Sequence, residues 1–402
     1  MIRKVCCEGV GYAVADLNAV QYVFASAVPQ NGSGLAEQAH GALATIARVV
    51  DEEGPQGAIV RQTIFVRDAA HIPACRQLIG EFYGPELPAT DYVVQPPCED
   101  KLLAIEAWGV SRKHGPLAIE RVSEHLVVLR HSGIAWAHCA GMLPRTEAPG
   151  VHERALSAFA RLRETLASQG FGFDQVVRTW LYLGDIVGEE DGTQRYKELN
   201  RARADFYQDV SFLAAYTPPS LNGAVYPAST GIGASDRDLR MSAVALASDR
   251  RDLVVVPLEN PLQTSAFRYA ERYSPHSPKF SRAMAIVGRR NAAILISGTA
   301  SIVESEVHHL GDVEAQTRQT LDNVEALIAR ENLQRRGIHG LGASLGDLVL
   351  ARVYIKRPED YAAVRAVCER RLGDLPTVYA VADVCRPELL VEIEGVAMAR
   401  KA

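Results

Sequence analysis

One pattern occurs three times along the 402 residues of this chain, and it constrains the fold more than any other feature. Each copy predicts a strand, a long amphipathic helix, a second strand, a shorter helix and two closing strands. The copies open with YVFASAVP from Tyr22, AWAHCAGMLP from Ala135 and AAILISGTAS from Ala292. The sequence therefore predicts three similar domains in tandem.

The helices of the repeat carry a regular apolar stripe, and its strands are short and rich in β-branched residues. In the third copy the stripe consists of Val313, Thr317, Leu321, Val324, Leu327 and Ile328. The same reasoning predicts helices over residues 34–53, 71–83, 151–169, 193–208, 313–332 and 358–371. We therefore expect an α+β fold in which each copy is a mixed sheet with two helices on one face.

The repeat breaks in two places, and these breaks divide the chain into domains 1–112, 113–250 and 251–402. The sheet face opposite the helices still needs to be covered. Three such domains can cover one another by packing around a pseudo-threefold axis. We therefore expect an intramolecular pseudotrimer, which would let the chain act as a monomer.

Bulk composition argues against several classes of protein. A net charge of −5 disfavours a nucleic-acid binder, which would show a basic face. No apolar run approaches the roughly 18–20 residues that span a bilayer, and residues 1–10 do not look like a signal peptide, so we expect a cytoplasmic protein without a membrane partner. The seven cysteines form no C-x-x-C pair and are expected to be free thiols. No metal, phosphate-loop or dinucleotide motif occurs, so we expect no metal and no cofactor.

The closing strand LLVEIEGVA at 389–397 resembles the C-terminal signature of the reactive intermediate deaminase (Rid, or YjgF) family. That resemblance implies a chorismate-mutase-like fold with sites in the clefts between units. Over about residues 115–402 the chain is more specifically similar to the chorismatases, which remove the enolpyruvyl group of chorismate as pyruvate. The segments that carry this similarity are YKELNRARADFY, YPASTGIGA, ENPLQTSAFRY, YSPHSPKFSRA, LISGTAS and ADVCRPELLVEIEG.

Because the resemblance implies two such units in a chorismatase, residues 1–112 are expected to be an additional, structural unit. Their closing strand reads KLLAIEAWG, with Ala104 in the position that Glu392 has in the third copy.

Glu392 is the candidate catalytic acid. Side chains alternate along the strand LLVEIEG, so Glu392 and Glu394 share the face turned away from the helices. A carboxyl group in a sheltered cleft, with a like charge two residues away, has a raised pKa and stays protonated. A neutral carboxyl can protonate the terminal methylene of an enol ether, and the resemblance places the catalytic glutamate of the family at Glu392. Glu394 is expected to be structural.

Chorismate carries two carboxylates, so its site should contain several cations. The second helix of the middle copy places a polar row on one face, which is typical of a cleft wall and consists of Tyr196, Asn200, Arg203 and Tyr207. The other candidates for substrate binding are Lys356, Arg282, Tyr269 and Tyr273. Arg282, Tyr269 and Tyr273 lie in the Pro- and Tyr-rich segment 252–291. We expect this segment to be an arm that packs on a neighbouring domain or forms a site wall.

Gly298 and Cys385 are the candidates for determining the product. The resemblance implies that hydrolytic and 3-hydroxybenzoate-forming chorismatases differ at these positions, and glycine with cysteine matches the second pattern. Glycine leaves room for a shifted ring or removes a contact that positions water, and cysteine is a soft, weakly polar wall. Exclusion of the attacking water would let the ring hydroxyl displace the pyruvyl unit.

Three alternatives stay open. A hydrolytic chorismatase would differ only in its product, a dihydroxycyclohexadienoate. An imine deaminase of the Rid family would have an arginine before its last strand, but the comparable segments here read PTV, PAS and ATD at 376–378, 227–229 and 89–91. A non-catalytic relative would bind its ligand without turnover.

Overall fold

The structure is a computed structural model, and it describes residues 2–401 except 8, 18, 55, 56, 147, 220, 222, 271, 272 and 274. Three six-stranded sheets dominate the described part of the chain. All seven cysteines are free thiols. Among the described residues, no helix combines the length and apolar character needed to cross a bilayer.

The elements follow one another in three series. The first is β1 (Ile2–Cys7), β2 (Val10–Asp16), β3 (Val20–Ala27), α1 (Leu35–Glu53), β4 (Ala58–Val66), α2 (Ile72–Tyr83), β5 (Ala89–Val94) and β6 (Leu103–Arg112). The second is β7 (Leu117–Ser123), β8 (Leu126–His131), β9 (Ile134–Met142), α3 (Val151–Ala167), β10 (Val176–Gly184), β11 (Glu189–Glu190), β12 (Thr193–Gln194), α4 (Arg195–Tyr207), β13 (Ala228–Ala234) and β14 (Leu239–Ser248). The third is β15 (Val254–Leu258), β16 (Ala283–Val287), β17 (Asn291–Ala300), β18 (Ile302–Val303), β19 (Glu306–Val307), α5 (Val313–Ile328), α6 (Arg330–Arg335), β20 (Leu348–Ile355), α7 (Tyr361–Leu372), β21 (Thr377–Val381) and β22 (Val391–Arg400).

The three sheets share one strand order. It is β1-β2-β3-β6-β4-β5 in the first unit, β7-β8-β9-β14-β10-β13 in the second and β15-β16-β17-β22-β20-β21 in the third. In each sheet one pair is parallel, namely β4–β5, β10–β13 and β20–β21, because a helix carries the chain back between its two strands. The predicted α+β class with mixed sheets is confirmed.

Each unit begins with two strands that the sequence analysis missed. β1 and β7 lie at sheet edges and have no fully buried side chain, so their apolar signal is weak. β15 and β16 fall inside the segment predicted to be an arm. Only the stretch between these two strands, residues 259–282, lies outside the sheet. We call this stretch the arm.

The long helix of the third unit is shorter than predicted. α5 ends at Ile328, and the extended backbone of Ala329, with ψ 148°, separates it from α6. The amide of Asn332 donates hydrogen bonds to the carbonyls of Leu327 at 2.7 Å and Glu259 at 3.0 Å, which satisfies a helix-end acceptor. The predicted buried stripe is confirmed except at Val313, which is half-buried.

The three units contact one another through equivalent strands. β5 packs against β9, β13 against β17, and β21 against β3. Counted along the chain within each six-stranded sheet, the fifth strand of one unit therefore meets the third strand of another. One arginine from each sheet lies over the ring of Trp180, with Arg61 at 4.3 Å, Arg178 at 4.7 Å and Arg352 at 5.4 Å from its centroid. Apolar side chains from all three sheets form one continuous core around this point.

Candidate active site

A cavity opens where the second unit meets the third, beside the contact between β13 and β17. It holds about 750 Å³ of empty space, mouth included. α4 and β13 supply one wall, β17 and β22 the other, and the arm closes a third side. The predicted residues that line it are Tyr196, Asn200, Tyr269, Tyr273, Arg282, Gly298, Cys385 and Glu392.

Glu392 lies on β22, where it pairs with Ala300 of β17 and Tyr354 of β20. It lines the cavity, yet the residue is only 5% exposed. Burial, and then the negative charge of Glu394, raise the pKa of Glu392 from 4.5 to about 8, although Arg282 and Arg178 oppose the shift. The carboxyl group is therefore mostly protonated at neutral pH and can act as a proton donor.

Glu394 shares the strand face of Glu392, but its surroundings shift its pKa in the opposite direction. Its carboxylate accepts hydrogen bonds from Arg178 at 2.6 Å and from the Trp180 indole at 2.8 Å, and Arg352 lies 3.2 Å away. Burial alone would raise the pKa of Glu394, but the two guanidinium groups hold it below its ordinary value. One carboxyl is thus kept neutral and the other ionised, which fits an acid beside a structural ion.

Gly298 lies directly against the acid. A Cβ atom on Gly298 would come within 2.0 Å of Oε1 of Glu392 and 3.1 Å of Cγ2 of Thr230. The Gly298 amide donates a hydrogen bond to Oγ1 of Thr230 at 2.9 Å, which ties the third unit to the second. The sequence analysis gave two reasons for this glycine, room for a shifted substrate ring or the removal of a contact that positions water. In the structure the glycine makes room for the carboxyl group of Glu392.

Cys385 lies in the loop between β21 and β22, and its backbone carbonyl accepts a hydrogen bond from the Gln194 side chain at 3.1 Å. Burial, and then the charge of Glu392, raise the pKa of the Cys385 thiol to about 12. The thiol is therefore neutral and not a nucleophile. It contributes a weakly polar wall, in line with the sequence-based interpretation.

Among the residues that the structure describes, the arginines that line the cavity are Arg282 and Arg386. Nη2 of Arg282 donates hydrogen bonds to the Tyr269 hydroxyl at 2.5 Å and to the carbonyl of Thr264 at 3.2 Å. The guanidinium of Arg386 lies over the rings of Tyr269 and Tyr273, 5.2 and 4.9 Å from their centroids. Two tyrosines of the arm thus position both cations.

Sequence reasoning missed Arg386, and it also missed Lys197, which lines the cavity one position after Tyr196. Arg386 directly follows Cys385, so its place in the chain was a usable signal. Lys197 gave no such signal, because it lies beside the predicted polar row of α4 and not within it.

Arg203 does not line the cavity. It is 1% exposed and lies behind the wall, where it donates to the side chains of Asn200 and of Ser229, the latter at 3.4 Å. Its guanidinium also lies 5.6 Å from the ring of Phe280. Arg203 therefore holds residues of the wall in place, and its predicted direct contact with substrate is corrected to a positioning role.

Tyr207 and Lys356 also lie away from the cavity. α4 runs from the cavity into the core, so Tyr207, near its end, packs 4.8 Å from the ring of Phe212. Lys356 pairs with Asp383 at 3.3 Å and donates to the carbonyl of Pro387 at 2.9 Å. Both predictions of substrate contact are corrected. A position on a helix face or at a strand end does not show whether a side chain reaches the cavity.

This fold and this cavity define a Rid-like α+β protein with a protonated acid between two of its units. Residues 274–399 match the family model described as Endoribonuclease L-PSP, and residues 114–246 match Chorismatase FkbO/Hyg5-like, N-terminal. A 3-hydroxybenzoate synthase of Streptomyces hygroscopicus is 35% identical over 66% of this chain and 76% of its own. A chorismatase of Streptomyces rapamycinicus is 33% identical over 66% of this chain and 77% of its own. The chain belongs to the chorismatase family.

A solved structure corrects the interpretation of residues 1–112. The crystal structure of a chorismatase matches 94% of this chain and 98% of its own, with a TM-score of 0.66 at 22% identity. The part of this chain that lies outside the match is far shorter than the 112 residues of the first unit. The first sheet is therefore part of the shared fold, and the expectation that it is an addition to a two-unit chorismatase is wrong.

Proposed function

We propose that the protein is a chorismatase that releases pyruvate from chorismate and forms 3-hydroxybenzoate. The observation that carries this proposal is the neutral, buried carboxyl group of Glu392 in a cavity that also contains Arg282, Arg386 and Lys197. The acid suits cleavage of an enol ether, and the cations suit a dicarboxylate. The relatives named 3-hydroxybenzoate synthase and chorismatase support the same activity.

In the proposed reaction, Glu392 gives its proton to the terminal methylene carbon of the enol ether, which becomes a methyl group. The ether carbon becomes an oxocarbenium ion beside the Glu392 carboxylate. The neighbouring ring hydroxyl attacks the ring carbon that carries the ether, the carbon–oxygen bond breaks, and pyruvate leaves. The proton lost by the hydroxyl restores the acid, and the ring epoxide isomerises to the phenol. The products contain all the atoms of chorismate, so no water is consumed.

The product proposal rests on Gly298 and Cys385. Gly298 leaves room for the carboxyl group of Glu392 beside β17, and the neutral thiol of Cys385 offers little to hold a water molecule. The hydrolytic alternative needs one water to attack in place of the ring hydroxyl, which gives a dihydroxycyclohexadienoate.

For substrate binding we propose Tyr196, Asn200, Tyr269 and Arg282 from the predicted set, with Arg386 and Lys197 added. Arginine can form two parallel hydrogen bonds to a carboxylate, so Arg282 and Arg386 suit the two carboxylates of chorismate.

A product assay tests this function. Purified protein is incubated with chorismate, pyruvate is measured by a coupled dehydrogenase, and the ring product is identified by NMR. We expect equal amounts of pyruvate and 3-hydroxybenzoate, and a loss of about 10²–10⁴-fold in rate in Glu392→Gln protein that remains folded. Cys385→Ala should raise the hydrolytic product. Tight binding of chorismate without pyruvate would instead support the non-catalytic alternative.

We also propose that domains 1–112, 113–250 and 251–402 form an intramolecular pseudotrimer that works as a monomer. The shared strand order and the equivalent contacts of β5 with β9, β13 with β17 and β21 with β3 support this arrangement. Light scattering after gel filtration should give a mass near 43.7 kDa. A mass that is a multiple of this value would contradict the monomer.

A further inference from the structure

A second cavity lies between all three units and shares no lining residue with the cavity of Glu392. It holds about 850 Å³ of empty space, mouth included. Each sheet lines it with an equivalent cross-strand pair, and these pairs are Phe24–Trp108, His138–Val244 and Leu295–Val396. We call it the central cavity.

The walls of the central cavity are aromatic and aliphatic. Tyr22, Phe24, Trp108 and Trp136 line it, and the rings of Phe24 and Trp108 meet edge to face at 5.4 Å. Arg250 also lines it, but its guanidinium binds Asp252 with two hydrogen bonds of 3.0 and 2.8 Å. An apolar chamber whose arginine is already neutralised by a carboxylate favours an uncharged ligand.

Two polar side chains in this chamber lack partners. His138 is 2% exposed, and within the described part of the chain neither of its ring nitrogens has a hydrogen-bond partner. The buried indole nitrogen of Trp136 is in the same situation. His131, by contrast, is satisfied by the Tyr22 hydroxyl at 2.6 Å and by Ser132 at 3.2 Å. Buried polar groups are normally paired, so these atoms point to a bound molecule.

The chemistry of the pair restricts what can bind. Trp136 and His138 are two residues apart on β9, so their side chains lie on the same sheet face. Burial lowers the pKa of His138 to about 3, so the ring is neutral and offers one donor and one acceptor. A single hydroxyl group can accept a hydrogen bond from the indole of Trp136 and donate one to the imidazole of His138.

We propose that the central cavity is a second ligand site, for a small uncharged aromatic molecule with one hydroxyl group. The ring of the ligand packs among Tyr22, Phe24 and Trp108, and its hydroxyl binds Trp136 and His138. Phenol is the simplest probe of this class, and toluene is its match without the hydroxyl.

The three tryptophans of the chain provide a direct readout. The indole nitrogens of Trp108 and Trp180 already donate to Glu106 at 3.1 Å and to Glu394 at 2.8 Å. In full-length protein with ¹⁵N-labelled indoles, phenol should therefore shift the Trp136 signal in a saturable way. Trp136→Phe removes that signal and so assigns it. The same substitution should weaken the binding of phenol, measured by calorimetry, about fivefold.

His138→Leu separates a ligand site from an ordinary apolar hole. We expect phenol affinity to fall about tenfold and toluene affinity to stay the same or rise, because the imidazole matters only to the hydroxyl. Glu392→Gln, in the other cavity, should change phenol affinity less than twofold. The proposal is overturned if phenol gives no saturable Trp136 shift, if His138→Leu weakens both probes equally, or if crystals soaked in phenol hold only water in the cavity.

Discussion

Glu392 and Glu394 lie on one face of one strand, yet their environments favour different protonation states, neutral for Glu392 and ionised for Glu394. Glu392 loses hydration and gains no hydrogen bond from an arginine among the described contacts, so its neutral form is favoured. Glu394 also loses hydration, but Arg178 and Trp180 donate to it. Two residues of separation along β22 are enough to place one carboxyl in the cavity and the other in the core between the units.

The raised pKa of Glu392 has a consequence for stability. The folded protein keeps this proton up to about pH 8, whereas the unfolded chain loses it near pH 4.5. Between these values the folded state binds more protons, so Glu392 lowers the free energy of unfolding as pH rises. Glu392→Gln removes this effect. Its free energy of unfolding relative to wild type, measured by urea denaturation, should therefore rise from pH 5 to pH 8 by roughly 4 kcal/mol and then level off. A difference that does not change with pH would contradict the shift.

Gly298→Ala tests the contact between the glycine and the acid. The added Cβ would lie 2.0 Å from Oε1 of Glu392, so the carboxyl must turn away from its present position. We expect pyruvate release to fall at least about tenfold, since small misplacements of a catalytic group are costly. Gly41→Ala is the matched control, because a Cβ there meets nothing within 4 Å, and its activity should equal that of wild type. Unchanged turnover in Gly298→Ala would show that the carboxyl has room elsewhere.

At the scale of elements, the cavity depends on the arm and on the loop between β21 and β22. The arm contributes Arg282 and Tyr269, and the loop contributes Cys385 and Arg386. Both segments are held by side-chain contacts across unit boundaries, such as the hydrogen bond from Gln194 to the Cys385 carbonyl. Loops on rigid sheets are common places for binding residues.

Arg386 and Lys356 provide a matched pair of cations near the end of the chain. Arg386 lines the cavity, whereas Lys356 turns to Asp383 and the carbonyl of Pro387. Arg386→Gln should raise KM for chorismate about tenfold or more, because a charged hydrogen bond to a carboxylate is lost. Lys356→Gln should change KM less than about twofold. Equal effects of the two substitutions in steady-state assays would refute this placement of the site.

The sequence predicted the repeated elements well, and it predicted the cavity residues that depend on strand alternation. The period of two in LLVEIEG places Glu392 and Glu394 on one strand face. The choice of Glu392 as the acid and of Gly298 on β17 also needed the resemblance to the chorismatases. The edge strands β1 and β7 were missed because exposed strands carry little apolar signal. Tyr207 was misplaced because helical periodicity shows which residues share a face but not how far along the helix the cavity extends. Only the first half of α4 reaches the cavity, and Tyr207 at its end packs in the core.

At the scale of the molecule, buried ion pairs join the three units. Arg352 of the third unit donates to Glu106 of the first at 2.5 and 2.7 Å, and Arg178 of the second donates to Glu394 of the third at 2.6 Å. Such pairs add little to stability over apolar contacts, but loss of one partner leaves a buried charge exposed to an apolar core. The first unit is therefore an integral part of the fold.

Glu106→Ala tests that role. Removal of the carboxylate should lower the free energy of unfolding by about 3–5 kcal/mol, since the Arg352 guanidinium stays buried. The control is Glu120→Ala, whose partner Arg130 lies 3.1 Å away in a pair about half exposed, and it should cost less than about 1 kcal/mol. Urea denaturation of both variants gives the comparison. Equal, small effects would mean that the first unit is not coupled to the third.

The most direct test of the central claim, a neutral carboxyl at position 392 that protonates an enol ether, is the pH dependence of kcat/KM for pyruvate release from chorismate. A required acid works below its pKa, so the wild-type rate should be level in mildly acidic solution and fall above an apparent pKa near 8, the value expected for Glu392. The remaining activity of Glu392→Gln should lack that fall. A wild-type rate that increases between pH 6 and 9 would mean that an ionised group does the work, and it would contradict this account.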